Sequence, residues 1–393
     1  MKKAVIFDFD GTICDTGKGI KVSARYALES YGIPCENENE LDFFIGPPLL
    51  DTFMEHYDQN EDTARGLVEK YREHYAVKGL FESELYDGIK ELLISLKDDK
   101  IKIGIASSKP ALYVEKLLEK FDILKYFDAV CGVDFKSDRE TKKSIISRCI
   151  NALGVKCDEA CVVGDRSYDI IGAKENGAQS VGVLWGYGSY GEFKECGADL
   201  IAEKPDDIEA VALGMYEETT DNNILYDGRI LKFHNDTVKL CNGESAKRET
   251  VNHPGGVAVI GITDDGRVPL VRQFRYPYKE VIFEIPAGKV EPGEDPFITG
   301  QREFKEECGA LADEYFPLGE MYPSPGYTDE IIRLYGARGI RFEEQELDED
   351  EFLEVYKMPL EELIKRIMSG EIKDGKTIIA ALKLKEKITN DLS

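Results

Sequence analysis

The sequence predicts an α/β fold with a doubly wound parallel sheet, followed by an α+β region with a mixed β-sheet and flanking helices. Three observations support this prediction. Apolar runs typical of buried strands, such as Lys3 to Phe7, alternate with helical patterns, most regularly from Leu85 to about Leu213. A helical pattern from roughly Gly19 to Gly79 interrupts the alternation. After Asn223, turn signals such as Asp227-Gly228 separate β-rich segments, and a last helix is expected from about Lys376 to Lys387.

The length predicts more than one compact unit, because 393 residues exceed what one hydrophobic core usually organises. We expect a first domain at residues 1–213, with a helical insertion at about 15–83, and a second domain at 224–393. The segment between them, residues 214–223, is short, polar and without periodicity, which favours a linker.

Composition limits the partners and the location. A net charge of −26 argues against nucleic-acid backbones and anionic membranes, because both need a basic surface. No apolar run approaches eighteen residues, and the start shows neither a leader nor a lipidation signal. The nine cysteines are scattered singly, and the four histidines form no zinc pattern. We therefore expect a cytoplasmic protein with small-molecule substrates.

A first candidate site follows the first strand, in the run Asp8-Phe9-Asp10-Gly11-Thr12. With a two-residue period, Asp8 and Asp10 point the same way, and two adjacent carboxylates need a metal ion. Further motifs follow in order: an apolar strand from Ile101 to Ala106 ends at Ser107, Thr141-Lys142-Lys143 opens an apolar helix, and a strand reaches Gly164-Asp165, with Asp169 four residues later. Together they resemble the haloacid dehalogenase (HAD) superfamily of phosphatases.

This resemblance implies a role for each residue. Asp8 would be the nucleophile and Asp10 the general acid and base, while Ser107 and Lys142 would bind the phosphoryl group. Lys143 stays open as the alternative to Lys142. Magnesium would be held by Asp8, the Asp10 carbonyl and Asp165, and Asp169 would hold Lys142 or a metal-bound water. The helical insertion would be a cap over the site, and its elbow at residues 43–49 resembles the 5′-nucleotidase-like branch of the family.

A second candidate site lies in the run GKVEPGEDPFITGQREFKEECGA, from Gly288 to Ala310. On a helix, Glu303, Glu306 and Glu307 share one face and repel one another, so the pattern indicates a bound cation. The glycine, the isolated Glu294, the Arg-Glu pair and the Glu-Glu pair match the box of the Nudix hydrolases. Only Ala310 departs, where that family usually has a larger apolar residue.

The Nudix resemblance implies a magnesium site, with Mn²⁺ as the alternative metal. Its ligands would be the Ala287 carbonyl, Glu303 and Glu307, with Glu306 nearby, and Arg302 would orient the carboxylates. The family often takes its general base from a mobile acidic loop. Among the many acids at residues 343–351, Glu349 is the candidate base and Glu351 a candidate further ligand.

Three further runs resemble the ADP-ribose pyrophosphatase branch: Arg272-Gln273-Phe274-Arg275, Glu284 to Gly288, and Tyr322 to Glu330. The resemblance implies Arg272, Arg275 and Glu330 as substrate-binding residues, and AMP and ribose 5-phosphate as products. Enzymes of this type pair through an amino-terminal β-rich segment, so we expect a homodimer through residues 224–251.

The sequence as a whole predicts a bifunctional hydrolase of phosphate monoesters and nucleoside diphosphate derivatives. If the first domain is a 5′-nucleotidase, AMP released by the second domain would be its substrate. Two alternatives remain open. The first domain could be a phosphoglycolate-type phosphatase fused to an unrelated Nudix pyrophosphatase, or the second domain could be a ligand sensor that regulates the phosphatase.

Overall fold

A computed structural model describes the chain except for residues 36–37, 47–48, 134–139, 348–350 and 392–393. The chain divides into two compact units: Met1–Glu218 with Lys239–Ser245, and Thr219–Val238 with Ala246–Ser393. None of the helices in the described part of the chain combines the length and the apolar character needed to cross a bilayer.

The first unit is built from alternating strands and helices. Up to residue 213, its elements are β1 (Ala4–Phe7), β2 (Cys14–Asp15), α1 (Gly17–Ser30), α2 (Leu49–Tyr57), α3 (Glu61–Val77), β3 (Glu84–Leu85), α4 (Ile89–Asp98), β4 (Lys102–Pro110), α5 (Ala111–Lys120), β5 (Ala129–Val133), α6 (Lys142–Leu153), β6 (Ala160–Gly164), α7 (Ser167–Glu175), β7 (Gln179–Val183), α8 (Tyr190–Cys196), β8 (Leu200–Ala202) and α9 (Asp206–Leu213).

Six of these strands form a parallel sheet in the order β5-β4-β1-β6-β7-β8. All four residues of β1 are buried, because both faces of the sheet are covered. Val5 and Phe7 belong to one apolar cluster and Ala4 and Ile6 to another. This arrangement confirms the predicted doubly wound α/β fold, and helices α1 to α3 form the predicted helical insertion.

The second half of the chain is rich in strands. Its elements are β9 (Glu217–Asp221), β10 (Ile224–Asp227), β11 (Lys232–Leu240), β12 (Ser245–Asn252), β13 (Gly256–Gly261), β14 (Arg267–Arg275), β15 (Glu280–Glu284), β16 (Ala287–Lys289), α10 (Pro296–Cys308), β17 (Ala310–Met321), β18 (Ile332–Phe342), β19 (Leu353–Pro359), α11 (Leu360–Met368) and α12 (Gly375–Asp391).

A mixed sheet, β16-β13-β18-β17, lies at the centre of the second unit, where β13 and β18 pair in parallel and the other pairs are antiparallel. The same unit contains a separate three-stranded antiparallel sheet, β15-β14-β19. Phe304 of α10 and Leu384 of α12 belong to different apolar clusters, so the helices cover different parts of the strands. The predicted α+β fold with flanking helices is confirmed.

Two local features differ from expectation. Part of the predicted linker is the strand β9, in which only Glu218 is buried. Because the strand is mostly exposed, it carries no apolar alternation that the sequence could reveal. Strand β4 also runs past Ser107 to Pro110, with an irregular register between Ala106 and Pro110.

Candidate active sites

The first candidate site lies at the carboxyl ends of three neighbouring strands. Strand β1 is paired on one side with β4 and on the other with β6. Asp8 therefore follows the central strand, Ser107 lies near the end of β4, and Asp165 follows β6. All three are buried, with at most 6% of each residue exposed. The parallel register brings together residues that are far apart in the sequence, as expected at this edge of an open α/β sheet.

Lys142 lies between Asp8 and a further acid, Asp169. It is the first residue of α6, whose N-cap Thr141 accepts a hydrogen bond from the amide of Ser144 at 3.3 Å. The Lys142 ammonium lies 2.7 Å from Asp8 Oδ1 and 2.6 Å from Asp169 Oδ1. Lys143 is exposed. The geometry therefore separates two lysines that the sequence left as alternatives.

Three buried carboxylates meet around this lysine. Each of Asp8, Asp165 and Asp169 offers an oxygen within 4.8 Å of the others, and no other group of three such ligands is found among the described residues. Burial raises the pKa of Asp8 to about 6, opposed by Lys142 and reinforced by Asp169. Burial also raises the pKa of Asp165 well above its usual range. Hard oxygen donors that repel one another in a buried site fit a divalent cation such as Mg²⁺.

Asp10 is held by two residues that the sequence analysis did not single out. Its Oδ1 accepts hydrogen bonds from Thr16 Oγ1 at 2.5 Å and from Lys109 Nζ at 2.6 Å. Lys109 is 8% exposed, and its ammonium lies 4.9 Å from the centre of the Tyr75 ring. The two-residue spacing from Ser107 is the signal that could have identified Lys109, because residues i and i+2 of a strand share a face.

A cavity of about 250 Å³ opens above Asp8 and Asp10. The helical insertion and the carboxyl end of β4 provide most of its wall. The wall includes four aromatic residues: Phe44, Tyr71, Tyr75 and Tyr113. Lys109 also lines it. Aromatic and apolar side chains interspersed with charged groups of both signs are compatible with a small organic ligand that carries charge.

The second candidate site is built on helix α10. Asp295 caps the helix by accepting a hydrogen bond from the amide of Phe297, Pro296 occupies the first turn, and Gly309 ends the helix in the left-handed conformation. These are favourable residues for the two ends of a helix. The capped helix presents Arg302 and the three glutamates Glu303, Glu306 and Glu307.

Arg302 is the centre of an ion-pair network. Its Nη1 lies 2.8 Å from both Glu303 Oε1 and Glu306 Oε2, and its Nε lies 3.1 Å from Glu294 Oε1. The hydrogen bonds to Arg302 and Thr299 lower the pKa of Glu294 to about 2. The Arg302 side chain thus fixes the positions of these carboxylates.

Glu307 is the most buried of the three helix glutamates, with 3% exposed. Its Oε2 accepts a hydrogen bond from the amide of Ala287 at 3.0 Å. Burial raises the pKa of Glu307 to about 8, and the charges of Glu303 and Glu351 add to this shift. A cation would relieve this repulsion, and carboxylates are suitable ligands for Mg²⁺.

The absence of a side chain at Gly288 makes room for Glu303. A Cβ on Gly288 would lie 1.9 Å from the Glu303 carboxyl carbon. A larger residue here would force the Glu303 carboxylate to leave this position. The Glu303 carboxylate thus lies against the backbone of Gly288.

The acidic segment after β18 runs beside the end of α10. The amide of Glu343 donates to Gly309 O at 2.6 Å, and the amide of Glu346 donates to Glu306 O at 3.1 Å. Glu351 is close enough for its charge to raise the pKa values of Glu303 and Glu307. Glu349, the candidate base, lies outside the described residues.

The three candidate substrate-binding residues do not form one cluster of contacts. The Arg275 guanidinium pairs with buried Glu284, with distances of 2.6 and 2.7 Å. Arg272 is half exposed and lies 3.6 Å from Glu354 Oε2. Glu330 Oε1 lies 3.4 Å from His253 Nδ1. Arg275 thus has a structural partner, whereas Arg272 is the more exposed of the two arginines.

Comparison with known proteins agrees with this division. Residues 5–183 match the haloacid dehalogenase-like hydrolases, and residues 252–379 match the NUDIX domain. The first half is similar to a 5′-nucleotidase of Pseudomonas aeruginosa, with 35% identity over 190 residues, which cover 48% of this chain and 86% of the relative. The second half is similar to an ADP-ribose pyrophosphatase of Bacillus subtilis, with 42% identity over 176 residues, covering 44% of this chain and 95% of the relative.

A solved structure gives the same result for the first half. A protein described as a "predicted phosphatase" from Clostridium acetobutylicum is 40% identical, with a TM-score of 0.53, and the match covers 54% of this chain and 99% of that one. The chain therefore belongs to two hydrolase families, with a HAD-like phosphatase domain in its first half and a Nudix hydrolase domain in its second.

Proposed function

We propose that this chain is a bifunctional, magnesium-dependent hydrolase, with Mn²⁺ as the alternative metal. The observation that carries the proposal is that each unit contains its own cluster of carboxylates around a basic side chain, buried in the first unit and partly buried in the second. These are Asp8, Asp165 and Asp169 around Lys142 in one unit, and Glu303 and Glu306 around Arg302 in the other, with Glu307 beside them. Two such sets support two separate reactions.

In the HAD domain we assign Asp8 as the nucleophile. A carboxylate oxygen of Asp8 attacks the phosphorus of a monoester, the bond to the leaving oxygen breaks, and Asp10 gives that oxygen a proton. A water molecule then attacks the aspartyl-phosphate and loses a proton to Asp10, which frees Asp8 and inorganic phosphate. Ser107 and Lys142 bind the phosphoryl oxygens.

Asp8, the Asp10 carbonyl and Asp165 would hold the metal ion in this domain. When bound, the ion offsets the negative charge that builds up on the phosphoryl group. Asp169 keeps the Lys142 ammonium directed at Asp8, as the 2.6 and 2.7 Å contacts indicate.

The substrate that we propose for the HAD domain is a 5′-nucleotide such as AMP. The aromatic wall of the cavity supports a nucleoside, because a base stacked on an aromatic side chain gains about 1–3 kcal/mol. The 5′-nucleotidase similarity supports the same choice. Phosphoglycolate is the alternative, supported by a Vibrio parahaemolyticus phosphoglycolate phosphatase that is 29% identical over 220 residues. Comparing kcat/KM for AMP and phosphoglycolate decides between them.

In the Nudix domain we propose hydrolysis of ADP-ribose or a related nucleoside diphosphate derivative. Water adds to one phosphorus, the P–O–P bridge breaks, and AMP and ribose 5-phosphate leave. The Ala287 carbonyl, Glu303, Glu306, Glu307 and Glu351 are the proposed metal ligands. When bound there, divalent metal ions would offset the charge of the pyrophosphate and favour ionisation of the attacking water.

Residues around this metal site complete the proposal. Arg302 orients the carboxylates, Glu349 is the proposed general base, and Arg272, Arg275 and Glu330 are the proposed substrate contacts. The alternative, a ligand sensor, does not need three clustered helix glutamates. Titrating ADP-ribose against the phosphatase rate separates the enzyme from the sensor.

We further propose that the two reactions occur in sequence. ADP-ribose would give AMP in the Nudix domain, and the HAD domain would convert AMP to adenosine and phosphate. Chromatography of an ADP-ribose digest should show AMP rising and then falling, whereas the Asp8→Asn protein should accumulate AMP. Persistent AMP, under conditions where a control monoester is hydrolysed, would refute the coupled reaction.

We propose a cytoplasmic homodimer as the working form. The free state of all nine cysteines supports the location. Exposed apolar residues on and after β10 support pairing through residues 224–251, and half or more of Ile224, Leu225 and Tyr226 is accessible. Light scattering of the full chain tests the assembly, and a monomer with full pyrophosphatase activity at micromolar concentration would contradict it.

A further inference from the structure

Arg166 connects the metal-binding segment of the HAD domain to its cap. It lies directly after Asp165, and its own amide donates to Asp169 Oδ2 at 3.1 Å. Its guanidinium reaches the cap, where Nη1 donates to the carbonyl oxygen of Ile45 at 3.1 Å. One residue is therefore bonded both to a buried acid of the site and to the backbone of the cap.

Glu192 holds the Arg166 side chain in this position. Its Oε1 accepts from Arg166 Nε at 3.2 Å and from the amide of Ser167 at 2.6 Å. Glu192 lies in the first turn of α8, which Ser189 caps by accepting from the Glu192 amide. The guanidinium is thus fixed from the core side, and a fixed donor loses little conformational entropy when it binds the cap.

The cap residues that receive this contact form part of the cavity wall. Phe44 and Gly46 line the cavity above Asp8 and Asp10, and Ile45 between them is 1% exposed. Gly46 has a φ of +105°, and a Cβ there would lie 3.4 Å from Arg166 Cγ. A glycine therefore suits the backbone conformation, and a Cβ there would make only an ordinary contact with the arginine.

We propose that Arg166 is a positioning residue that fixes the cap segment 44–46 as a substrate-selecting wall and ties that wall to Asp165 and Asp169. The proposal rests on the proposed phosphatase reaction. Arg166 does not touch the reacting atoms, and its effect passes through Ile45. A large leaving group such as a nucleoside contacts this wall, whereas a two-carbon leaving group has little surface with which to do so.

Hydrogen exchange of the full chain tests the contact without any substrate. The amide of Ile45 donates to Asp42 O at 3.0 Å, so its exchange reports on the order of this segment. A hydrogen bond to a charged group contributes about 1.5–3 kcal/mol, so Arg166→Gln should speed exchange at residues 41–46 by at least about tenfold. Arg166→Lys keeps a charged donor, so its exchange rate should lie between those of the unmodified protein and Arg166→Gln.

Selectivity gives the second measurement. The ratio of kcat/KM for AMP to kcat/KM for acetyl phosphate should fall about tenfold in Arg166→Gln, because only AMP needs the wall. Glu192→Gln should change the ratio in the same direction by less. Arg166→Lys should restore part of it. Exchange in Nudix-domain peptides serves as the internal control for folding.

Unchanged exchange at residues 41–46 would overturn the proposal, as would an equal loss of activity toward both substrates. The proposed nucleotide function can fail separately, if the unmodified protein hydrolyses acetyl phosphate but not AMP. In that case faster exchange in Arg166→Gln still supports the role of Arg166 in holding segment 44–46, and unchanged exchange still overturns it.

Discussion

A single position separates Lys142 from Lys143, yet the two side chains have different environments. Successive residues of an α-helix differ by about 100° around its axis, so only one can face the sheet. Lys142 contacts Asp8 and Asp169, and Lys143 is exposed. Burial alone would lower the pKa of Lys142, but Asp169 and Asp8 outweigh it and raise the pKa, so the ammonium stays charged.

We therefore expect Lys142→Met to reduce monoester hydrolysis by about 10²–10³-fold, the usual effect of removing a donor that stabilises transition-state charge. Lys143→Met is the matched control and should stay close to the unmodified rate. Steady-state hydrolysis of p-nitrophenyl phosphate measures both, with thermal unfolding as a check on folding. Equal losses in the two variants would contradict the assignment of Lys142.

Gly288 offers a second test at a single position. In Gly288→Ala the new methyl would meet the Glu303 carboxylate, so Glu303 has to move away from its place beside residue 288. Pyrophosphatase activity should fall at least tenfold, about 1.4 kcal/mol, and the Mg²⁺ concentration for half-maximal rate should rise. Gly375→Ala is the control, because a Cβ there would have only an ordinary contact with Met321, at 3.7 Å. A Gly288→Ala enzyme with unchanged Mg²⁺ dependence would argue against this metal site.

Among the secondary-structure elements, β14, β15 and α12 are joined through one buried carboxylate. Glu284 of β15 is 1% exposed, accepts two hydrogen bonds from Arg275 of β14, and also pairs with Lys376 of α12. Burial alone would raise the pKa of Glu284, but hydrogen bonding to Arg275 and the charge of Lys376 outweigh it and lower the pKa. This residue supports the strand that leads into Ala287 and Gly288.

Glu284→Gln should lower the free energy of unfolding of the Nudix domain by about 1–3 kcal/mol near pH 7. The lower end of this range is expected, because Arg275 is partly exposed and solvent weakens its ion pair with Glu284. A lowered pKa in the folded state gives stability that is present above the ordinary value of 4.5 and lost as the pH falls through the folded-state value. The urea midpoint for loss of pyrophosphatase activity, measured at pH 7 and at successively lower pH, should converge for the two proteins. A difference that did not depend on pH would exclude this ion-pair explanation.

At the scale of the whole molecule, two carboxylate sets lie in separate units, so the two proposed activities should be separable. Asp8→Asn should abolish phosphate release from monoesters and leave pyrophosphate cleavage nearly intact. Glu307→Gln should do the reverse. Both activities are measured on the same preparation, so each serves as the folding control for the other. Loss of both in Asp8→Asn would require one shared active centre.

The sequence by itself determined both families, both folds and most candidate site residues. Their signals are local: strands ending in acids, a capped helix with a glutamate face, and turn residues between strands. These patterns arise because a strand repeats every two residues and a helix every 3.6. Together with the resemblance to the HAD and Nudix motifs, this local character is why Asp8, Asp165, Glu303 and Glu307 could be named as candidates from the sequence.

Only the tertiary structure decided which distant residues meet. Four such contacts join different elements: Lys142 with Asp8, Lys109 with Asp10, Arg275 with Glu284, and Arg166 with Ile45. Sequence spacing cannot give such contacts, because they depend on the order of strands in the sheet and on the packing of helices against it. Periodicity orients a side chain within its own element, whereas its partner is set by how the elements fold together.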